Sequence, residues 1–290
     1  VKKIFLGPDG LRAGWRFAIF VVLWSALDTG MLLLAQRFYR IHPGMDPVDF
    51  VVSDGLGLVA TFLLLAGIAR FEGRRVGDYG LPAAPGFARR FAEGILWGFA
   101  PVAITMLGIA ALGGVSIDGL ALTGRALGGS AAVWGIAMIV LGFFEETLFR
   151  GYPLVTLARG MGFWPAAVLL SVFFGGLHYF TKPMESVLDA VSVAFIGLFV
   201  CLTFLRTGDL WLAVGFHAAF DFFALPVFGA PNTANAGLPV PGHFLATRFH
   251  GAAWLTGGPC GIEASVVMIL ATALLFLVFA RMHPRRPSRP

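Results

Sequence analysis

Three short patterns place ionisable side chains in an otherwise apolar chain: Glu145-Glu146-x-x-x-Arg150, Phe174-x-x-x-His178 and His217-x-x-x-Asp221. Each contains a pair four residues apart, and such a pair shares one helix face. Arg150 can reach back to Glu146 and neutralise it. Glu145, about 100° further round the helix, need not share that pair. One carboxylate can therefore be structural while its neighbour is free for chemistry. Inside a membrane, sets of Glu, His and Asp line substrate sites or proton relays. A lone Glu–Arg pair is more often a packing element, and a lone histidine more often a helix contact. The weight lies in three patterns, in order, on separate apolar segments.

Those segments must hold the groups in a membrane. Of 290 residues, 58% are hydrophobic and only 13% charged, against roughly 45–50% and 25% in soluble domains. Apolar runs near 15–36, 50–69, 91–113, 131–158, 163–181, 186–205, 209–228 and 262–281 predict eight spans, each of about 20 residues. The expected fold class is all-α, a polytopic bundle around an intramembrane polar cavity. With the N-terminus inside, sixteen Lys and Arg fall in inner segments and five (Arg37, Arg40, Arg125, Lys182 and Arg248) in outer ones. That bias follows the positive-inside rule and places both ends in the cytoplasm, including a basic tail with Arg285, Arg286 and Arg289. Topology thus accounts for the net charge of +5, and no nucleic-acid partner is expected. Pro8, Asp9 and Gly10 interrupt the basic N-terminus and no small-residue cleavage site follows, which predicts a first transmembrane helix and not a removed signal peptide. Cys201 and Cys260 are too far apart in sequence to form a ligand-spacing pair, so neither a disulfide framework nor a Cys-based metal site is expected.

At about 1.5 Å per residue, Glu145, His178 and Asp221 fall at a common depth, with His217 shallower, and Pro153 is expected to kink the fourth helix. Asp28, Asp54, Glu93 and Asp189 belong to no pattern and are read as structural. Glu263 is read as complementing a helix N-terminus. The outer loop 229–261 either caps a cavity or is a mobile connector. The chain divides into 1–130 (three spans and a cytoplasmic loop), 131–226 (the polar core) and 227–290 (outer loop, last span and tail).

Over residues 131–226 the sequence resembles the CAAX-protease and bacteriocin-processing family (CPBP, also called ABI), the Rce1-like intramembrane endopeptidases. That family carries EExxxR, FxxxH and HxxxN or HxxxD on the fourth, fifth and seventh of eight helices. "EETLFR", "FGGLH" and "HAAFD" match in residues, order and span number. The resemblance implies a glutamic-type peptidase. Glu145 would be the general base, His178 would help hold a water, and His217 with Asp221 would stabilise the oxyanion. Glu146 and Arg150 would hold the helix, and Phe174 would pack beneath the site. The implied partners are a membrane-associated peptide or protein substrate and the lipid bilayer, and the implied location is a bacterial inner membrane.

No cofactor is expected. Two histidines and a glutamate can ligate zinc, but no HExxH is present and a required metal is not expected. The absence of GxSxG and GxGD weighs against serine and aspartyl intramembrane proteases. Two other classes stay open: a non-catalytic membrane scaffold or immunity protein, and a proton-coupled transporter, although no repeated halves are seen.

Overall fold

The computed structural model describes residues 2–7, 10–42, 44–83 and 85–284. Pro8, Asp9 and the tail arginines Arg285, Arg286 and Arg289 lie outside the described residues. The chain opens with α1 (Lys2–Phe5) and a small antiparallel hairpin, β1 (Leu6–Gly7) and β2 (Gly10–Leu11). The helices α2 (Ala13–Ala35), α3 (Pro47–Glu72) and α4 (Phe87–Ala111) follow, then β3 (Val115–Leu120). Next come α5 (Gly124–Glu146), α6 (Tyr152–Met161), α7 (Phe163–Thr181), α8 (Val187–Thr207) and α9 (Trp211–Phe222). The chain continues through β4 (Leu245–Phe249) and α10 (Ala253–Thr256) to α11 (Val266–Met282).

Among the described residues, six helices are long and apolar enough to cross a membrane: α2, α3, α4, the continuous Gly124–Met161 segment, α7 and α8. The remaining two expected spans are also apolar helices, but shorter, at Trp211–Val227 and Val266–Met282. Side chains such as Val22, Leu34, Leu96, Leu107 and Leu270 turn outward, each more than 60% exposed. A bilayer satisfies such a surface, because helices bury their own backbone polar groups and leave apolar side chains to the lipid. The protein is an integral membrane protein with a mostly helical fold.

Local chemistry sets the helix ends. Asp46 caps α3 by accepting from the N–H groups of Val48 and Asp49, with Pro47 in the first turn. Ser186 caps α8 through Asp189 N–H. The core is a close crossing of α4 with α9. A Cβ on Gly94 would lie 2.2 Å from Leu212 O, one on Gly98 2.1 Å from Phe216 O, and one on Gly215 2.1 Å from Phe91 O. Only glycines allow this backbone approach, the packing mode that small residues provide in membranes.

The fourth expected span differs from its expectation. It starts earlier, at Gly124, and is widened by a π turn over Thr147–Gly151 before continuing as α6. Pro153 lacks an N–H, and its ring crowds the carbonyl four residues back, which is Phe149 inside that turn. A second π turn, Phe223–Val227, extends α9 and contains Pro226. π turns of this kind are common beside functional sites.

The outer loop is not a free connector. β4 pairs antiparallel with β3, with Val115 opposite Phe249 and Leu120 opposite Leu245. Trp134 Nε1–H donates to Pro241 O and the Ser130 hydroxyl to Gly242 O, tying the loop to α5. Ala230 and Val240 are buried.

Candidate active site

α5 ends by presenting its two carboxylates differently. Glu146 points into protein and its side chain is 1% exposed, whereas that of Glu145 is 20% exposed. Arg150, on the π turn, donates to Glu146 Oε1 at 3.1 Å. Its guanidinium also stacks near Phe174, with Cζ 4.5 Å from the ring centroid. Gly197 on α8 makes room for it: a Cβ there would sit 2.6 Å from Arg150 Nη2. A buried ion pair is stable only with such full packing around it.

α9 brings the second half of the site. His217 Nδ1 lies 2.7 Å from the same Glu146 Oε1 that Arg150 holds. Its Nε2 lies 3.2 Å from Asp221 Oδ2 and 3.6 Å from Glu145 Oε2. Both ring nitrogens therefore face carboxylates, and only the imidazolium can donate from both. Glu146 thus bridges Arg150 and His217, a role that the helix spacing did not show. His217 is also not displaced from the other groups, as depth alone had suggested. One helical turn separates it from Asp221, and the side chains span that gap.

α7 supplies the third part. His178 Nδ1 is 3.0 Å from the Phe174 carbonyl. Donation from Nδ1–H leaves Nε2 as an acceptor. The Phe174 and His178 rings meet edge to face at 4.6 Å, so Phe174 packs against both Arg150 and His178. All seven residues of the three patterns line one cavity of about 140 Å³.

Other residues line that cavity without having been singled out for it, among them Lys182, Glu263, Asn232 and Met45. Glu263 does not cap α11. Ser265 does, accepting from Val267 N–H, and Glu263 faces the cavity instead. Burial raises the Glu263 carboxyl, and the Lys182 ammonium draws it back down. Burial would lower Lys182, but Glu263, Glu185 and Asp189 outweigh it and raise its pKa. Glu185 in turn accepts from the Thr233 hydroxyl of the outer loop. Isolated acids in loops carry no periodic signal, so only the folded chain brings them here.

Among the described residues, no three His, Cys, Asp or Glu side chains are grouped so as to hold a metal ion. His178 keeps its Nε2 lone pair, whereas both ring nitrogens of His217 face carboxylates.

Residues 127–223 match the family model described as type II CAAX prenyl endopeptidase Rce1-like. No curated protein matches the chain. The matched segment, about a third of the chain, contains all three patterns and the helices that bring them together, and over it the chain is similar to the Rce1-like membrane endopeptidases.

Proposed function

We propose that the protein is a glutamic-type intramembrane endopeptidase that hydrolyses a peptide bond of a membrane-associated peptide or protein. The observation that supports this most is the meeting of Glu145, His217 and Asp221 on one cavity wall, with His178 lining the same cavity. Glu145 is the one carboxylate of the adjacent pair not held by Arg150. It takes a proton from a water, which adds to the scissile carbonyl. His178 offers its Nε2 lone pair to orient that water. His217 donates from Nε2–H to the oxyanion, while Glu146 fixes the ring from the other side and Asp221 keeps the proton on Nε2. Collapse of the tetrahedral intermediate breaks the C–N bond, and the leaving nitrogen takes the proton from Glu145. The carboxylate is thereby regenerated, and no metal enters any step.

The substrate class is a CAAX-type or bacteriocin-like peptide reached from within the bilayer. The proposed setting is a bacterial inner membrane with both ends of this chain in the cytoplasm. In this reading the catalytic core is 131–226, flanked by spans that support it. The test is cleavage of a panel of lipid-modified and unmodified membrane peptides by the protein in liposomes, read by mass spectrometry. Defined fragments from the parent and none from Glu145→Gln are expected. Equal cleavage by both would remove Glu145 from the chemistry. Binding without cleavage would favour a scaffold, and proton-driven flux a transporter.

A further inference from the structure

A second cavity, of about 800 Å³, opens at the far end of the molecule's first and fourth spans. It lies where α2 begins, at Ala13, and where α6 ends, at Met161. Two spans therefore leave the apolar layer beside it. Gly160 lets them touch at its edge, since a Cβ there would lie 2.6 Å from Ala13 Cβ.

The N-terminal hairpin forms the opposing wall. Trp15 Nε1–H donates to Ile4 O, and its ring stacks on Phe5 at 4.9 Å. Arg12 N–H donates to Phe5 O, and Arg16 Nε–H to Leu11 O. These bonds hold Ile4, Phe5 and Leu11 against the start of α2 as a formed wall.

Its chemistry is sorted. Arg12, Arg16 and Arg159 line the cavity, and among the described residues no acid does. Arg16 is also tied to Glu72 at 3.4 Å. Residues 1–16 contain Lys2, Lys3, Arg12 and Arg16 against the single acid Asp9, so the region stays positive when that residue is counted. The remaining wall is apolar, including Ile4, 63% exposed, and Met161, 45% exposed. Trp15 sits among them, a side chain suited to the boundary between headgroups and hydrocarbon.

We propose that this cavity binds an anionic phospholipid, its phosphate facing Arg12, Arg16 and Arg159 and its acyl chains passing Ile4 and Met161 into the bilayer. Basic pockets between spans are suited to such headgroups, and each arginine near a charged surface adds roughly fivefold to binding. A free phosphate would use the same cations but not the apolar wall.

The test is native mass spectrometry of the full chain after exchange into mixed phosphatidylglycerol and phosphatidylcholine. Preferential retention of phosphatidylglycerol is expected. The preference should fall about fivefold in Arg159→Gln and further in Arg12→Gln/Arg159→Gln, and it should survive in Arg159→Lys. Both residues are exposed, so the variants should fold, and an unchanged melting temperature checks this. Equal retention of the two lipids by the parent overturns the proposal. So does a preference that the double variant keeps. Displacement of phosphatidylglycerol by inorganic phosphate alone would make the cavity a free-anion site and overturn the lipid assignment.

Discussion

Two helix seams meet on α9, and they are built on opposite principles. Towards α4, Gly94, Gly98 and Gly215 bring backbone against backbone with no charge involved. Towards α5, the contact runs through Glu146, Arg150 and His217, with Glu146 Oε1 shared between a guanidinium and an imidazole. The first seam depends on the absence of side chains, and the second on a complete set of them. A dry seam tolerates changes of charge nearby but no added atom. A polar seam tolerates small shifts but not the loss of a partner, because the survivor stays buried and unpaired. The site sits on the polar seam, and the glycine seam holds α9 in place beneath it.

That contrast can be broken at several points. Glu145→Gln should lower peptide cleavage by about 10²–10⁴-fold, the usual contribution of a positioned base, with the melting temperature unchanged. Near-parental turnover would place the base elsewhere. Glu146→Ala should destabilise the fold by roughly 3–5 kcal/mol, read by thermal unfolding in detergent, because Arg150 loses its carboxylate and His217 loses the one at Nδ1. Equal melting losses for the Glu145 and Glu146 variants would erase the division between the two acids.

Gly98→Ala should cost about 1–3 kcal/mol through overpacking. The added Cβ meets the Phe216 carbonyl, which belongs to the backbone and cannot rotate away. Unfolding at the parental temperature would show that the α4–α9 seam is looser than its geometry. Asp221→Asn leaves His217 anchored by Glu146, so activity should drop about tenfold, a modest share of an oxyanion donor's usual effect. A complete loss at unchanged stability would make Asp221 itself the donor. Exhaustive chelation should leave turnover unchanged, whereas loss restored by zinc, with stoichiometric bound metal, would require a different reading of His217.

The sequence shows most about what happens within one helix. The Glu146–Arg150 and His217–Asp221 pairs were legible because four-residue spacing fixes a common face wherever the helix lies. The Glu146–His217 contact was not, since it joins residues 71 apart and depends on how α5 and α9 cross. Hydropathy marked the eight apolar segments but not the π turn after Glu146, because a widened turn leaves composition unchanged. Glu263 and Lys182 were hidden for a different reason: their position follows from the fold of the outer loop over the bundle. β3 and β4 gave no signal either, as a short ladder between two loops needs both partners in place.

The turn Thr147–Gly151 also divides labour along a single span. A π turn contains one residue more than the α-helical turn it replaces, which rotates everything beyond it by about 100°. α5 packs on α3 and α9, whereas α6 packs on α2 and α7. One continuous crossing of Gly124–Met161 therefore changes neighbours halfway, like a strand passed from one braid to another. Arg150 stands at the crossing point, and the proposed reactive wall lies on the join between two sub-bundles.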